Sequence, residues 1–244
     1  MKRIIYTADE CLDSGIRLTG QRAEHIRTIL HATPGKPLKV GLLNGAIGIA
    51  TVRSIESNGT VWLEKPNNSA PSLRPWFDLI LALPRPRAVK RLLPQLATMG
   101  VRKLHLVRAA KVPKSYFDSP CLKPDSIQAL FIEGLMQAGT TILPECTISL
   151  APFTPEDYPT DGLRLLCHPG HPKPLPPPRE EHLPLLAIGP DGGWTNEEID
   201  RFHTAGFIDF SLGSRPLRTD TACIALTAVL QDRLLQGVSR ENHL

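Results

Sequence analysis

A chain of 244 residues, 41% hydrophobic and 21% charged, holds enough apolar matter to bury a sizeable core, which excludes a disordered or fibrous polymer. No apolar run approaches the roughly 18 residues that span a bilayer, and the opening MKRIIYTADE lacks the apolar core of a secretory signal, so a cytoplasmic location is expected. The net charge of +4 is mild; the five cysteines (Cys11, Cys121, Cys146, Cys167, Cys223) form no CxxC pair and the eight histidines no metal spacing, so reduced thiols and no metal are expected.

Residues Arg3 to about Lys65 read as short strands and turns: RIIY, a small helix AEHIRTILH, the run PLKVGLLNGAIGIATVRSI, and TVWLEK. Asn44-Gly45 and Asn58-Gly59 lie between apolar runs and are hairpin signals, because both dipeptides accept the positive φ of tight turns. A small β-barrel is predicted over residues 1–70. The stretch PNNSAPSLRP, Pro66 to Pro75, has linker chemistry and no periodicity.

A second domain is predicted over residues 71–244, where strands and helices alternate. FDLILAL, VRKLHLV, LRLLCH, LPLLAIGP and FIDFSLG read as strands. VKRLLPQLATMG, PDSIQALFIEGLMQAG, NEEIDRFHTAG and a last segment from Asp220 to Gln236 read as helices. Seven prolines between Pro169 and Pro184 exclude a helix there and predict an extended connection. The alternation implies an α/β fold with an open, mostly parallel sheet.

Charge is distributed unevenly. Between Pro84 and Phe117 stand nine Lys or Arg residues, among them Arg85, Arg87, Lys111 and Lys114, and no acid. Such a run suits a polyanion, since each neutralised phosphate releases counterions; a solvated cationic face is the other reading.

Two glycine-rich loops follow apolar strands in the last third. Gly189-Pro190-Asp191-Gly192-Gly193 runs from LLAI into a helix opened by Thr195 or Asn196, and Leu212 to Ala222 runs from a strand into the last helix, with Thr219 as an N-cap. Glycines at strand carboxyl ends allow close backbone approach to a ligand, at the edge where open α/β sheets bind ligands. Neither loop has GxGxxG spacing or a phosphate-loop Lys-Ser/Thr, which disfavours dinucleotide or ATP binding.

Taken together, GPDGGWTNEEID and SLGSRPLRTDTACIAL resemble the terminal signature of the bacterial 16S rRNA uridine-N3 methyltransferases, a SPOUT family whose usual reading is GPEGGxxxxE and LGxRILRTETA. His25, Leu30 and Gly35 are similar to that family's PUA-like RNA-binding barrel; Leu83-Pro84, Gly100-Val101, Gln137, Gly139 and Pro144 fall in register with its centre. The resemblance implies a deep trefoil knot in the second domain, a homodimer through that domain, and S-adenosylmethionine as cofactor. It implies a cofactor site of Leu166, His168, Gly189, Pro190, Gly193, Leu212, Gly213, Leu217, Arg218 and Ala222, although Ala222 also reads as ordinary core. The substrate implied is 16S rRNA or the 30S subunit, with Arg3, His25, Arg85, Arg87, Lys111 and Lys114 as RNA contacts.

Departures cluster on the substrate side. Gln95 and Thr98 stand for Lys and Glu, Ala110-Lys111 for Glu-Arg, and Thr140 and Ile142 for two arginines; Asp191 and Asp220 shorten two glutamates and Pro216 replaces an aliphatic residue. Methyl transfer from a sulfonium is an in-line displacement that depends on alignment and exclusion of water. Uridine N3 reacts as the anion, so a cation near O2 or O4 helps, and Arg218 is the candidate catalytic residue; its other reading is a brace to Asp191 or Asp220. A catalytically silent or re-targeted RNA-binding homologue is the alternative function.

Overall fold

The computed structural model describes residues 3–158, 162–170 and 183–241. The chain divides into two compact units: Met1–Arg74 with Phe131–Leu143, and Pro75–Leu130 with Pro144–Leu244.

The first unit is a mixed, nearly closed sheet of seven strands. These are β1 (Ile4–Tyr6), β2 (Cys11–Leu12), β3 (Gly15–Leu18), β4 (Pro37–Leu42), β5 (Ile47–Ile55), β6 (Val61–Leu63) and β7 (Asn67–Ala70), with helix α1 (Gly20–Thr28) between β3 and β4. The order is β1-β4-β5-β6-β3-β2, and β7 pairs with β5. Both Asn-Gly hairpins form: Asn44 has φ 59° and turns β4 into β5, and Gly59 has φ 88° and turns β5 into β6. The segment expected as a linker is strand β7 over Asn67–Ala70, because its backbone continues the β5 ladder although the sequence NNSA has no apolar periodicity. Ile4, Ile16, Leu18, Ile26, Val40, Val52 and Leu63 form its core, with Met136 packed against it.

The second unit carries a six-stranded sheet, parallel at every pairing. Its strands are β8 (Phe77–Ala82), β9 (Val101–Arg108), β10 (Glu145–Pro152), β11 (Arg164–Cys167), β12 (Leu185–Ile188) and β13 (Ile208–Phe210). The helices are α2 (Pro86–Met99), α3 (Pro124–Ala138, whose residues from Phe131 on belong to the first unit), α4 (Asn196–Thr204) and α5 (Thr219–Glu241). The spatial order β10-β9-β8-β12-β11-β13 puts β11 between two strands that follow it in sequence. Strands buried on both faces read as continuous apolar runs: Leu79 to Leu81, Leu165 to Leu166 and Leu185 to Ile188 are all buried. β10 was not anticipated; Cys146, Ile148 and Leu150 alternate with Thr147 and Ser149, but as an edge strand it leaves Ile148 and Leu150 exposed. The proline-rich connection, over 171–182, lies outside the described residues.

Candidate active site

Strands β11, β12 and β13 run parallel, so their carboxyl ends share one edge of the sheet, where such folds place ligands. A cavity of about 340 Å³ opens there, a volume suited to a small organic ligand. Eight of the ten residues expected around a cofactor line it: His168, Gly189, Pro190, Gly193, Leu212, Gly213, Leu217 and Ala222. Leu166 and Arg218 do not. Leu166 is buried within β11, one residue before the lining Cys167, and Arg218 is exposed on the loop ahead of α5.

Sequence reasoning missed Trp194 and Leu226 as lining residues and read Thr219 as a helix cap alone; Cys167 lies within the stretch from Leu166 to His168 expected near the cofactor. An apolar residue flanking a glycine loop reads as core, and only the fold shows that it also forms a wall. Burial pushes the Cys167 and Cys223 thiols up, so neither is a thiolate nucleophile at neutral pH.

The first loop is tied on several sides. Thr219 Oγ1 donates to the Gly189 carbonyl at 3.2 Å and lies 3.0 Å from Asp191 Oδ1, so Thr219 joins the start of α5 to the loop as well as opening that helix. Thr195 caps α4 as anticipated: Glu198 N–H donates to Thr195 Oγ1 and Thr195 N–H donates to Glu198 Oε2, a capping box. Trp194 is buried against Phe202 and Phe153, with ring centroids 4.8 and 6.0 Å away. In the second loop, Ser211 Oγ donates to the Gly170 carbonyl at 3.0 Å, and Gly170 N–H donates to the Gly213 carbonyl at 3.3 Å. Behind the cavity, Asp209 Oδ1 receives His203 Nε2 at 2.8 Å and His168 Nε2 at 3.3 Å.

The backbone around the cavity suits a nucleoside ligand. Gly193 (φ 67°) and Gly213 (φ 125°) hold conformations that L side chains rarely adopt, and at both positions an added Cβ would meet nothing within 4 Å. Bare backbone thus borders open space on two walls. Among the described residues no His, Cys, Asp or Glu group could hold a metal, and no helix is long and apolar enough to cross a membrane.

The carboxylates that could brace Arg218 are engaged elsewhere: Asp220 pairs with Arg91 at 2.7 Å, and Asp191 with Arg85 at 3.7 Å. Distant acids also balance much of the cationic run, since Arg102 pairs with Asp78, and Lys103 with Glu145 at 3.3 Å. Arg87, Lys90 and Lys114 are exposed. Arg3, expected to meet RNA, is instead committed within its own unit: Nε donates to the Gly139 carbonyl at 2.9 Å and Nη1 to the Val40 carbonyl at 2.8 Å. Desolvation lowers its pKa, consistent with a structural guanidinium. His25 is half-buried in the last turn of α1.

Fold and site together define an α/β protein with a small-molecule cavity at the carboxyl edge of a parallel sheet, joined to a barrel-like unit. Residues 72–231 match the model of the RNA methyltransferase domain family, and the chain belongs to that family. It is 30% identical over 218 residues to ribosomal RNA small subunit methyltransferase E of Treponema pallidum, covering 84% of this chain and 80% of the relative. Among solved structures, a probable rRNA-methyltransferase from Porphyromonas gingivalis superposes with a TM-score of 0.75 at 21% identity, covering 97% of this chain and 99% of that one. Ribosomal RNA small subunit methyltransferase E of Neisseria gonorrhoeae, solved bound to S-adenosyl methionine, gives 0.71 at 20% identity, covering 94% and 97%.

Proposed function

We propose that the protein is an S-adenosylmethionine-dependent RNA methyltransferase that modifies small-subunit ribosomal RNA at N3 of a uridine. The observation that carries this reading is the convergence of the Gly189 and Gly213 loops on one cavity, with bare backbone at Gly193 and Gly213. The names of the ribosomal RNA methyltransferase relatives and the S-adenosyl methionine bound in one solved relative support the substrate and the cofactor.

When bound, the cofactor supplies an electrophilic methyl group on sulfur. The chain's part is alignment: the two glycine loops offer backbone donors and acceptors, and Leu212, Leu217 and Leu226 exclude water. Arg218 stands free of the carboxylates held by Arg85 and Arg91, which suits a cation that stabilises charge developing on the uridine oxygens. His25, Arg85, Arg87 and Lys114 remain the RNA contacts of this reading, with residues 1–70 as a PUA-like barrel and 71–244 as the methyltransferase domain.

The same reading includes a deep trefoil knot through β11, β13 and α5, a homodimer built on the second domain, and a cytoplasmic location. Its support for the knot is that β13 pairs with β11 on the edge opposite β12, and that Gly170 N–H meets the Gly213 carbonyl.

Calorimetry with S-adenosylmethionine, followed by transfer of tritiated methyl to 30S subunits and nucleoside mass spectrometry, tests the proposal. The expected result is binding, transfer, and 3-methyluridine in the digest. Arg218→Ala should cut kcat by about a hundredfold and leave cofactor affinity unchanged. Binding without transfer to any RNA would instead identify a silent RNA-binding homologue.

A further inference from the structure

Lys111 stands in the cationic run that suggests phosphate contact, yet its ammonium group lies elsewhere. Nζ donates to the Gly192 carbonyl at 2.8 Å and to the Trp194 carbonyl at 3.4 Å, and the stem lies over Gly192, where an added Cβ would come 3.1 Å from Lys111 Cδ. The neighbouring Ala110 N–H donates to Glu198 Oε1 at 2.8 Å, while the other oxygen of that carboxylate accepts from Thr195 N–H at 2.8 Å. The segment after β9 is thereby fastened to the carboxyl-terminal part of the first glycine loop and to the start of α4.

The consequence for the backbone can be followed peptide by peptide. The peptide from Gly192 to Gly193 is held at its carbonyl by Lys111 and at its amide by the Pro190 carbonyl, 2.8 Å away. The peptide from Trp194 to Thr195 is held at its carbonyl by Lys111 and at its amide by Glu198. Between them lies the Gly193–Trp194 peptide, in the lining of the cavity. Two fixed planes on either side set its orientation, and with it the polar face that the loop turns toward a ligand.

We infer that Lys111 is a positioning residue for the cofactor loop, assisted by Glu198, and that its ammonium group serves S-adenosylmethionine binding in place of an RNA phosphate. This inference rests on the methyltransferase reading above. A charge-assisted hydrogen bond to two carbonyls fixes a loop that glycines leave free to rotate, and pre-set geometry lowers the ordering cost of binding.

The test is Lys111→Met, which keeps the stem and removes the donor. Calorimetry should show S-adenosylmethionine affinity weakened about tenfold, or about 1.4 kcal/mol. In steady state the KM for the cofactor should rise with kcat at saturation nearly unchanged, and Lys111→Arg should recover most of the affinity. RNA affinity and its salt slope should stay at wild-type values, whereas a lost phosphate contact would reduce that slope by about 0.7 to 0.9. Should Lys111→Met fail to fold, Glu198→Gln should show the same pattern, with a smaller loss of cofactor affinity. Unchanged cofactor affinity, or an RNA loss as large as the cofactor loss, overturns the inference while the methyltransferase reading stands. A wild-type chain that takes up no S-adenosylmethionine sinks both.

Discussion

The two glycine loops that border the cavity are built differently. The wall from Gly189 to Thr195 is braced from behind by Thr219, Lys111, the Thr195–Glu198 capping box and the buried indole of Trp194. The wall from Leu212 to Arg218 is tied at its base through Ser211, and beyond that it is largely exposed, with Leu212 and Leu217 showing 40% and 42% of their surface. One wall is set before any ligand arrives. The other presents apolar side chains that lose water when a ligand covers them, so the ligand is part of what completes it.

Substitutions at each wall can break that contrast. The largest effect is expected from Gly213→Leu, which forces a branched side chain into a left-handed backbone and fills open cavity space. S-adenosylmethionine binding should fall by more than about a hundredfold by calorimetry, while circular dichroism still reports a folded protein. Wild-type affinity in this variant would remove the second loop from the site. Next is Thr219→Val, nearly isosteric, which strips a buried donor from the Gly189 carbonyl; a loss of about 1 to 3 kcal/mol in unfolding free energy is expected, together with weaker cofactor binding. Smallest is Thr195→Ala, which removes one bond of a redundant brace. It should cost about 1 kcal/mol and lower Tm by about 2 to 4 °C in a melt, and the cofactor affinity should change by no more than about twofold. If Thr195→Ala weakened binding as much as Gly213→Leu, the braced wall would not be braced.

What was legible in the sequence follows the range of the interactions. Asn44-Gly45 and Asn58-Gly59 announce hairpins because the turn conformation is a property of the dipeptide itself. Thr195 and Glu198 announce the start of α4 because a capping box closes within four residues. Strands β7 and β10 were not legible: Asn67–Ala70 holds its place through the β5 backbone, and Glu145–Pro152 is an edge strand with few side chains to bury. The same limit governs the site. Eight lining residues were visible as glycine loops and their neighbours, whereas the engagement of Arg3 and Lys111 was not, since both bind carbonyls that no residue letter encodes. The acid-free run from Arg85 to Lys114 reads as unopposed charge, yet Asp78, Glu145, Asp191 and Asp220 reach it from other parts of the chain.

The position of β11 carries a consequence for biosynthesis. Both of its edges are covered by strands made later, β12 on one side and β13 on the other. On a translating ribosome the strand therefore waits for more than forty further residues before its second ladder can form, and the pocket gains its last wall only after Phe210 has emerged. A nascent chain halted before that point should hold no cofactor, so competence for catalysis arrives in one late step instead of accumulating during synthesis.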